Sequence, residues 1–405
     1  MTSDVRRLLE AHGRPEREVY LDNENSGWVP PEVVETMLPY FNRVGYGHPS
    51  ITNRPGWEAF EVVQETAEAV ARTIGVDPED VHFTHSGTEA NNLAIIGAAR
   101  ANRSRGKRVI VSAVEHLSVI LPAESLEGAG FKVVRAPVDE EGFVDQDVLA
   151  ELVDRETVLV SVQTVNHEIG TIQRVRGLSE VVRDKNADVI FHTDACDAYG
   201  RVRVDADAMG VDMMTLSSHK ILGPKGVGVL YVADGVGVEP VLRGALSSQP
   251  LWPGVENVPA MAGFKRAIEL TFEDFDGANE RVRALRDRLM DSLLARVPDT
   301  LLNGPRGEER VSDNLNLSFL HVEGEALTVE LSMRGVYVSS GSACTSRILE
   351  PSHVMLAIGR RYEEAHGSIL FRLTRYHTRD DVDYVAGQVP EAVERLRRIS
   401  PLGKG

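Results

Sequence analysis

Between about Asp80 and Val232 the chain alternates short apolar runs with segments of helical spacing. The runs RVIVSAV, VLVSVQTV, ADVIFHTDA and VGVLYVA are rich in β-branched residues, while TEANNLAIIGAARANR and GLSEVVRDKN read as helices. Strands alternating with helices predict an α/β fold with a mostly parallel sheet covered on both faces. After the Gly/Pro-rich stretch around Pro250–Pro259, one long helical pattern runs from roughly Met261 to Arg296. Strand-like NLNLSFL and SILFRLT follow, and then a final helix, EAVERLRRI. These predict a smaller α+β domain joined to the first by the long helix. The expected division is an N-terminal segment, 1–29, packing with the small domain; a large domain, 30–275; and the small C-terminal domain, 276–405. No period of about 20–50 residues and no low-complexity tract recurs, which argues against solenoids and disordered linkers.

Length and composition narrow the class. At 405 residues the chain exceeds the roughly 250–300 residues at which one hydrophobic core stops growing. Its apolar share of 42% and charged share of 26% are those of a soluble protein. No run reaches the roughly 20 apolar residues of a membrane span. The N-terminus, MTSDVRRLLEAHGRPERE, lacks the apolar centre of a secretory signal, and two cysteines give no disulfide framework. A reducing cytoplasm is the expected compartment. A formal net charge of −17 argues against non-specific binding of nucleic acid or anionic membrane. Dispersed histidines and two distant cysteines give no metal-ligand spacing, so no metal site is expected.

Three segments carry chemistry. In VHFTHSGTEANNLAI a strand, a small-residue turn and a helix place the amides of Ser86–Glu89 at a helix N-terminus, where unpaired N–H groups and the helix dipole favour an anion. The same S-x-x-E pattern serves equally as a plain helix cap. The strand ADVIFHTDA ends on Asp194, where carboxylates face the ligand crevice of such sheets, or cap a helix. In TLSSHKILGPKGVGVLYV, Lys220 follows a small-residue run and precedes a Gly-Pro-Lys-Gly turn and a strand. A lysine that bonds a carbonyl needs such a fixed, partly desolvated seat. Taken singly it is a surface lysine before a turn. With a phosphate cradle upstream and Asp194 before it, the combination points to pyridoxal 5′-phosphate (PLP).

Over nearly its whole length the sequence resembles the cysteine desulfurases of NifS/IscS type, within the class V aminotransferase superfamily of PLP enzymes. YLDNENSGWVPPEV, FTHSGTEANNLAI, SAVEHLSV, TVNHEIGTIQ, HTDACDAYG, SSHKILGPKGVG, SSGSACTSRILEPSHV and RLRRISPL fall in that family's order with similar spacings. The resemblance implies fold type I, with the PLP-binding large domain and the smaller domain carrying the Cys344 loop. It implies that Lys220 forms the internal aldimine, that Asp194 pairs with the pyridine nitrogen, and that His116 stacks on the ring. Gly87, Thr88, Ser217 and His219 are then expected to hold the phosphate. Cys344, in a Gly/Ser-rich stretch whose composition favours flexibility, becomes the nucleophile that takes sulfur from L-cysteine as a persulfide and leaves alanine. An isolated cysteine would otherwise be read as a small buried hydrophobe, as Cys196 is. A homodimer, a small amino-acid substrate and a sulfur-acceptor protein are the implied partners. Two other readings predict different behaviour: a related PLP reaction (C–S lysis, epimerisation or transamination), which would survive Cys344→Ala, and a non-catalytic sulfur-transfer scaffold, which would be colourless.

Several pocket positions depart from the family. Its paired asparagines read Asn166-His167, and its glutamine after the pyridine aspartate reads Asp197; both are expected near the cofactor's phenolic oxygen, with His167 and Asp197 forming a compensating pair. The usual Ala-Thr-Thr reads Asn25-Ser26-Gly27, followed by Trp28, which makes Asn25, Ser26 and Trp28 candidate substrate contacts. Trp252-Pro253-Gly254-Val255 replaces Arg-x-Gly-Thr, so Val255 cannot donate to a partner subunit's phosphate. The substrate-clamping arginine falls on Leu370. Arg372, two residues on and about 6.5–7 Å further along the same strand face, is expected either as a relocated carboxylate clamp or as a structural ion-pair partner.

Overall fold

The computed structural model describes residues 6–7, 10–49, 51–244, 250–340 and 351–399. Cys344 lies outside the described residues. The strands, in chain order, are β1 (Val19–Tyr20), β2 (Val81–Thr84), β3 (Arg108–Ser112), β4 (Lys132–Ala136), β5 (Thr157–Ser161), β6 (Ile190–Asp194), β7 (Met213–Ser217), β8 (Gly228–Val232), β9 (Thr300–Leu302), β10 (Asn314–Phe319), β11 (Val336–Tyr337), β12 (Ser339–Ser340) and β13 (Ser368–Arg372).

Seven of these form one sheet in the order β2-β8-β7-β6-β5-β3-β4. Neighbours from β7 to β4 pair in parallel, and β8 runs antiparallel to both β2 and β7. All five residues of each of β5, β6, β7 and β8 are buried, which is why their sequences show unbroken apolar runs. Alternate residues feed opposite faces: Met214 joins the core around Phe191 and Phe264, while Met213 joins the one around Leu93 and Leu159. The edge strand β4 is partly exposed.

The apolar pattern predicts one helix over Met261–Arg296, but the structure has two, Val258–Glu273 and Phe275–Arg296. They meet at Asp274, whose backbone is non-helical (φ −133°, ψ 56°) and whose carboxylate pairs with Arg281 at 2.8 Å. A Cβ at Gly277 would stand 2.4 Å from the Asp274 carboxylate, so glycine there lets the acid fold over the start of the second helix. At the C-terminus the helix begins before Pro390, spanning Arg379–Ile399. The ring removes one N–H, but Val382, Val385, Ala386, Val389 and Val393 form a buried stripe on both sides of it that holds the helix to the core.

A second sheet, β12-β13-β10-β9, packs over its own core, including Leu289, Phe319, Leu331 and Phe371. Beside it, β1 pairs in parallel with β11 as a separate two-stranded sheet, and the Arg372 amide of β13 donates to the Leu21 carbonyl at 2.8 Å. The residues after β1 thereby run beside the end of β13, against the C-terminal ends of β6 and β7. Among the described residues no helix is long and apolar enough to cross a membrane.

Candidate active site

A cavity of about 200 Å³ lies at the C-terminal ends of β6 and β7, the usual ligand position in such sheets. Its upper wall is the turn after β2. Ser86 caps the helix there, its Oγ accepting from the Glu89 amide at 3.2 Å, so Gly87 and Thr88 present the first helical residues to the cavity. A Cβ on Gly87 would stand 2.9 Å from Cys196 Sγ, so the close approach of turn and sheet requires glycine. Cys196 is a buried thiol, pushed well above its ordinary pKa by burial and then by Asp194.

Asp194 ends β6 with both oxygens held: Oδ1 accepts from the Cys196 amide at 2.9 Å and Oδ2 from Asn91 Nδ2 at 2.7 Å. His116 caps the helix Leu117–Ser125, its Nδ1 accepting from the Ser118 amide at 3.1 Å. The His167 ring meets it edge-on, centroids 5.1 Å apart. Burial lowers the pKa of both imidazoles, that of His167 strongly. Ser217 and His219 are joined at 2.8 Å on the turn that carries Lys220, which closes on Leu222 in the left-handed region (φ 63°). A non-glycine residue there stores roughly 1–3 kcal/mol of strain, a cost found where a functional group must be aimed.

Lys220 Nζ lies between two carboxylates. It donates a short hydrogen bond to Glu24 Oε1 and stands 3.1 Å from Asp197 Oδ2. Arg372 closes the cluster, bonded to Asp197 Oδ1 and standing 3.4 Å from both Glu24 Oε2 and Asp313 Oδ2. Asp313 in turn holds Arg201 at 2.5 Å. Burial alone would lower the Lys220 pKa; Asp197 and Glu24 outweigh it and hold the amine at about 12. Burial and then the Asp197 charge push Glu24 up to about 7. Asp197, despite burial, is held well below the usual carboxylate range by Lys220 and Arg372.

Lys220, Asp194, His116, Gly87, Thr88, Ser217, His219, His167, Asp197 and Asn25 all line this cavity, so motifs far apart in sequence meet in one place. Two expectations need correction. His167 and Asp197 do not form a hydrogen-bonded pair: Asp197 is taken by Arg372 and Lys220, and His167 Nδ1 is left without a hydrogen-bond partner. Arg372 is no carboxylate clamp, because it is fully buried behind the cavity as the counter-ion of three acids, and Leu370 is the residue of β13 that reaches the cavity wall. Ser26 and Trp28 line a neighbouring open groove instead, with Trp28 half-exposed against Tyr376. The sequence motifs pass over Glu24 and Asn91. Glu24 sits in YLDNENSGW beside positions that already depart from the family, but its contact with Lys220 spans 196 residues and has no local pattern.

The donor set fits PLP. A glycine-walled turn offers backbone amides to a phosphate, an imidazole flanks the space for a ring, and a carboxylate and an amine sit at different points of its edge. His167 Nδ1 and Asn91 Oδ1 are buried in the wall without protein partners, leaving hydrogen-bonding capacity for a bound group. Among the described residues no cluster of histidine, cysteine and acidic groups is arranged to hold a metal ion.

Comparison with known proteins places this geometry. The family model for aminotransferase class-V matches residues 19–385. Cysteine desulfurase IscS 1 of Archaeoglobus fulgidus is 43% identical over 383 residues, covering 95% of this chain and 99% of that relative. Cysteine desulfurase IscS of Dictyoglomus turgidum is 42% identical over 385 residues, covering 95% and 97%. A solved structure titled as a NifS-like protein superposes with a TM-score of 0.87 at 32% identity, covering 94% of this chain and all of the other.

Proposed function

The chain belongs to the class-V aminotransferase family, and from that premise we propose that it is a PLP-dependent cysteine desulfurase, moving sulfur from L-cysteine onto Cys344 with release of alanine. The observation that carries this reading is the meeting of Lys220, Asp194, His116 and the Gly87 turn around one cavity. Bound there, PLP supplies an electron sink for the substrate's carbon skeleton.

The chain's own residues divide the remaining work. The Ser86–Thr88 turn would hold the phosphate through amides at a helix N-terminus, together with Ser217 and His219. Asp194, fixed by Asn91 and the Cys196 amide, would pair with the pyridine nitrogen of bound PLP and could keep it protonated. His116, whose pKa burial lowers, would flank the cofactor ring and could accept a proton. Lys220 would hold the cofactor, and when free it stands between Glu24 and Asp197. Cys344, as thiolate, attacks the substrate sulfur: a sulfur–sulfur bond forms as the carbon–sulfur bond breaks.

The protein's partners are a small amino-acid substrate and a protein that accepts the sulfur. The functional unit we propose is a homodimer, supported by a cluster of exposed apolar side chains, Leu38, Phe41, Tyr46, Ile51 and Trp57, on one stretch of chain. A reducing compartment such as the cytoplasm suits an enzyme whose product is a persulfide. Incubating the purified yellow protein with L-cysteine should yield alanine and sulfane sulfur in equal amounts. Cys344→Ala should abolish the persulfide, and alanine formation that persists undiminished in that variant would count against the reading.

A further inference from the structure

Lys220 faces a contradiction that its neighbours must resolve. Held between two carboxylates it is an ammonium, and an ammonium has no lone pair with which to bond a carbonyl carbon. The surrounding charges are balanced, with Glu24, Asp197 and Asp313 against Lys220, Arg372 and Arg201. If Lys220 loses its charge, three buried carboxylates face two cations, and an uncompensated buried charge is costly.

The two acids nearest Nζ are not equivalent. Asp197 is bonded to the Arg372 guanidinium and lies against Lys220, so both of its oxygens face cations. Glu24 bonds Lys220 through Oε1, its buried Oε2 stands 3.4 Å from Arg372, and its carboxyl lies against that of Asp197, a contact that raises the Glu24 pKa and lowers that of Asp197. We propose that Glu24 is the proton partner of Lys220, taking one proton from the amine when Lys220 must bond the cofactor and returning it when Lys220 is released. In this exchange an N–H bond of the ammonium breaks, its electron pair stays on Nζ as the lone pair, and an O–H bond forms on Oε1. The cluster keeps its balance, and Asp197 remains the fixed anion.

Other groups around Glu24 agree. It is faced by Asp197, Lys220, Arg372 and Glu168, with Asp313 and Arg201 behind Arg372. Glu168, itself pushed up to about 8 by burial, adds no full negative charge near neutrality, while burial and then Asp197 push Glu24 up to about 7, which narrows the gap between the carboxylate and the Lys220 ammonium. Glu24 acts through Lys220 and is a positioning residue in that sense. The inference rests on Lys220 being the cofactor-bearing lysine.

The test is a pH titration of the bound cofactor's visible absorption in the wild-type protein, Glu24→Gln and Glu24→Asp. Whenever the exchanged proton sits on Nζ, Glu24 is left as a carboxylate that stabilises it there; Glu24→Gln can neither take nor return that proton and offers no charge, so it should lower the apparent pKa of the band by at least about one unit. Glu24→Asp should fall between the two. If Glu24→Gln does not fold, a downward displacement in Glu24→Asp alone supports the proposal. Titrations that superimpose on wild type overturn it while leaving the desulfurase reading intact. A folded wild-type protein with no visible band after supply of PLP overturns the cofactor reading and this inference together.

Discussion

Arg372 is a full cation with no exposure to water, and its place is explained by the three acids that surround it. Removing one partner of such a cluster leaves buried charge unpaired, which costs about 3–5 kcal/mol. Arg372→Ala is therefore expected to lose stability of that order in denaturant unfolding; a loss below about 1 kcal/mol would contradict its role as counter-ion. Glu115 poses the opposite case. Buried, with Oε1 bound to Ser112 and the Gln163 amide, it is pushed up to about 8 by burial, so the folded state keeps a proton that the unfolded chain releases near its ordinary value. Its contribution is complete below about pH 4.5 and is lost as pH rises toward about 8. Stability should fall across that window by up to about 1.4 kcal/mol per pH unit from this group. Glu115→Gln should flatten the fall in melting temperature, and an unchanged slope would show that Glu115 is not the proton involved.

The turn between β2 and its helix shows how an element sets the site. Gly87 has room for no side chain because β7 and Cys196 press against it. Gly87→Ala should weaken PLP retention at least tenfold, and Cys196→Ala in the same chain should recover part of the loss by removing the sulfur that the new methyl meets. Equal retention by all three proteins in equilibrium dialysis would contradict the packing argument. Such elements are legible in sequence where one local rule governs them. The strands β5, β6 and β8 appear as apolar runs because both faces are buried, and the Ser86 cap and the Lys220 turn carry their own small-residue signatures. The edge strand β4 shows no such run, because part of it faces solvent. The break at Asp274 is hidden inside a continuous apolar periodicity, since it depends on a carboxylate folding over Gly277. The acid seat of Lys220 is least legible of all. Glu24, Asp197 and Arg372 come from three distant segments, and pairing His167 with Asp197 fails because a guanidinium from β13 reaches the carboxylate first.

Across the whole molecule, the segment after β1 is bonded to the smaller sheet at Arg372 and delivers Glu24 to the cavity beside Asp194 and Ser217 of the larger one, so both sheets contribute to the site. The apolar side chains of Leu38, Phe41, Tyr46, Ile51 and Trp57 are exposed on the outside of this body. If the proposed homodimer forms through these side chains, Phe41→Glu combined with Trp57→Glu should leave a monomer in sedimentation, and an unaltered dimer would place the interface elsewhere. The central claim is that Lys220 and its cofactor deliver sulfur to Cys344. Its most direct test is mass spectrometry of the intact PLP-loaded protein after brief exposure to L-cysteine, with alanine measured in the same sample. The expected result is a mass gain of one sulfur atom on Cys344 matched by one alanine, both absent in Lys220→Ala. Consumption of cysteine by wild type with no sulfur on Cys344 would contradict it.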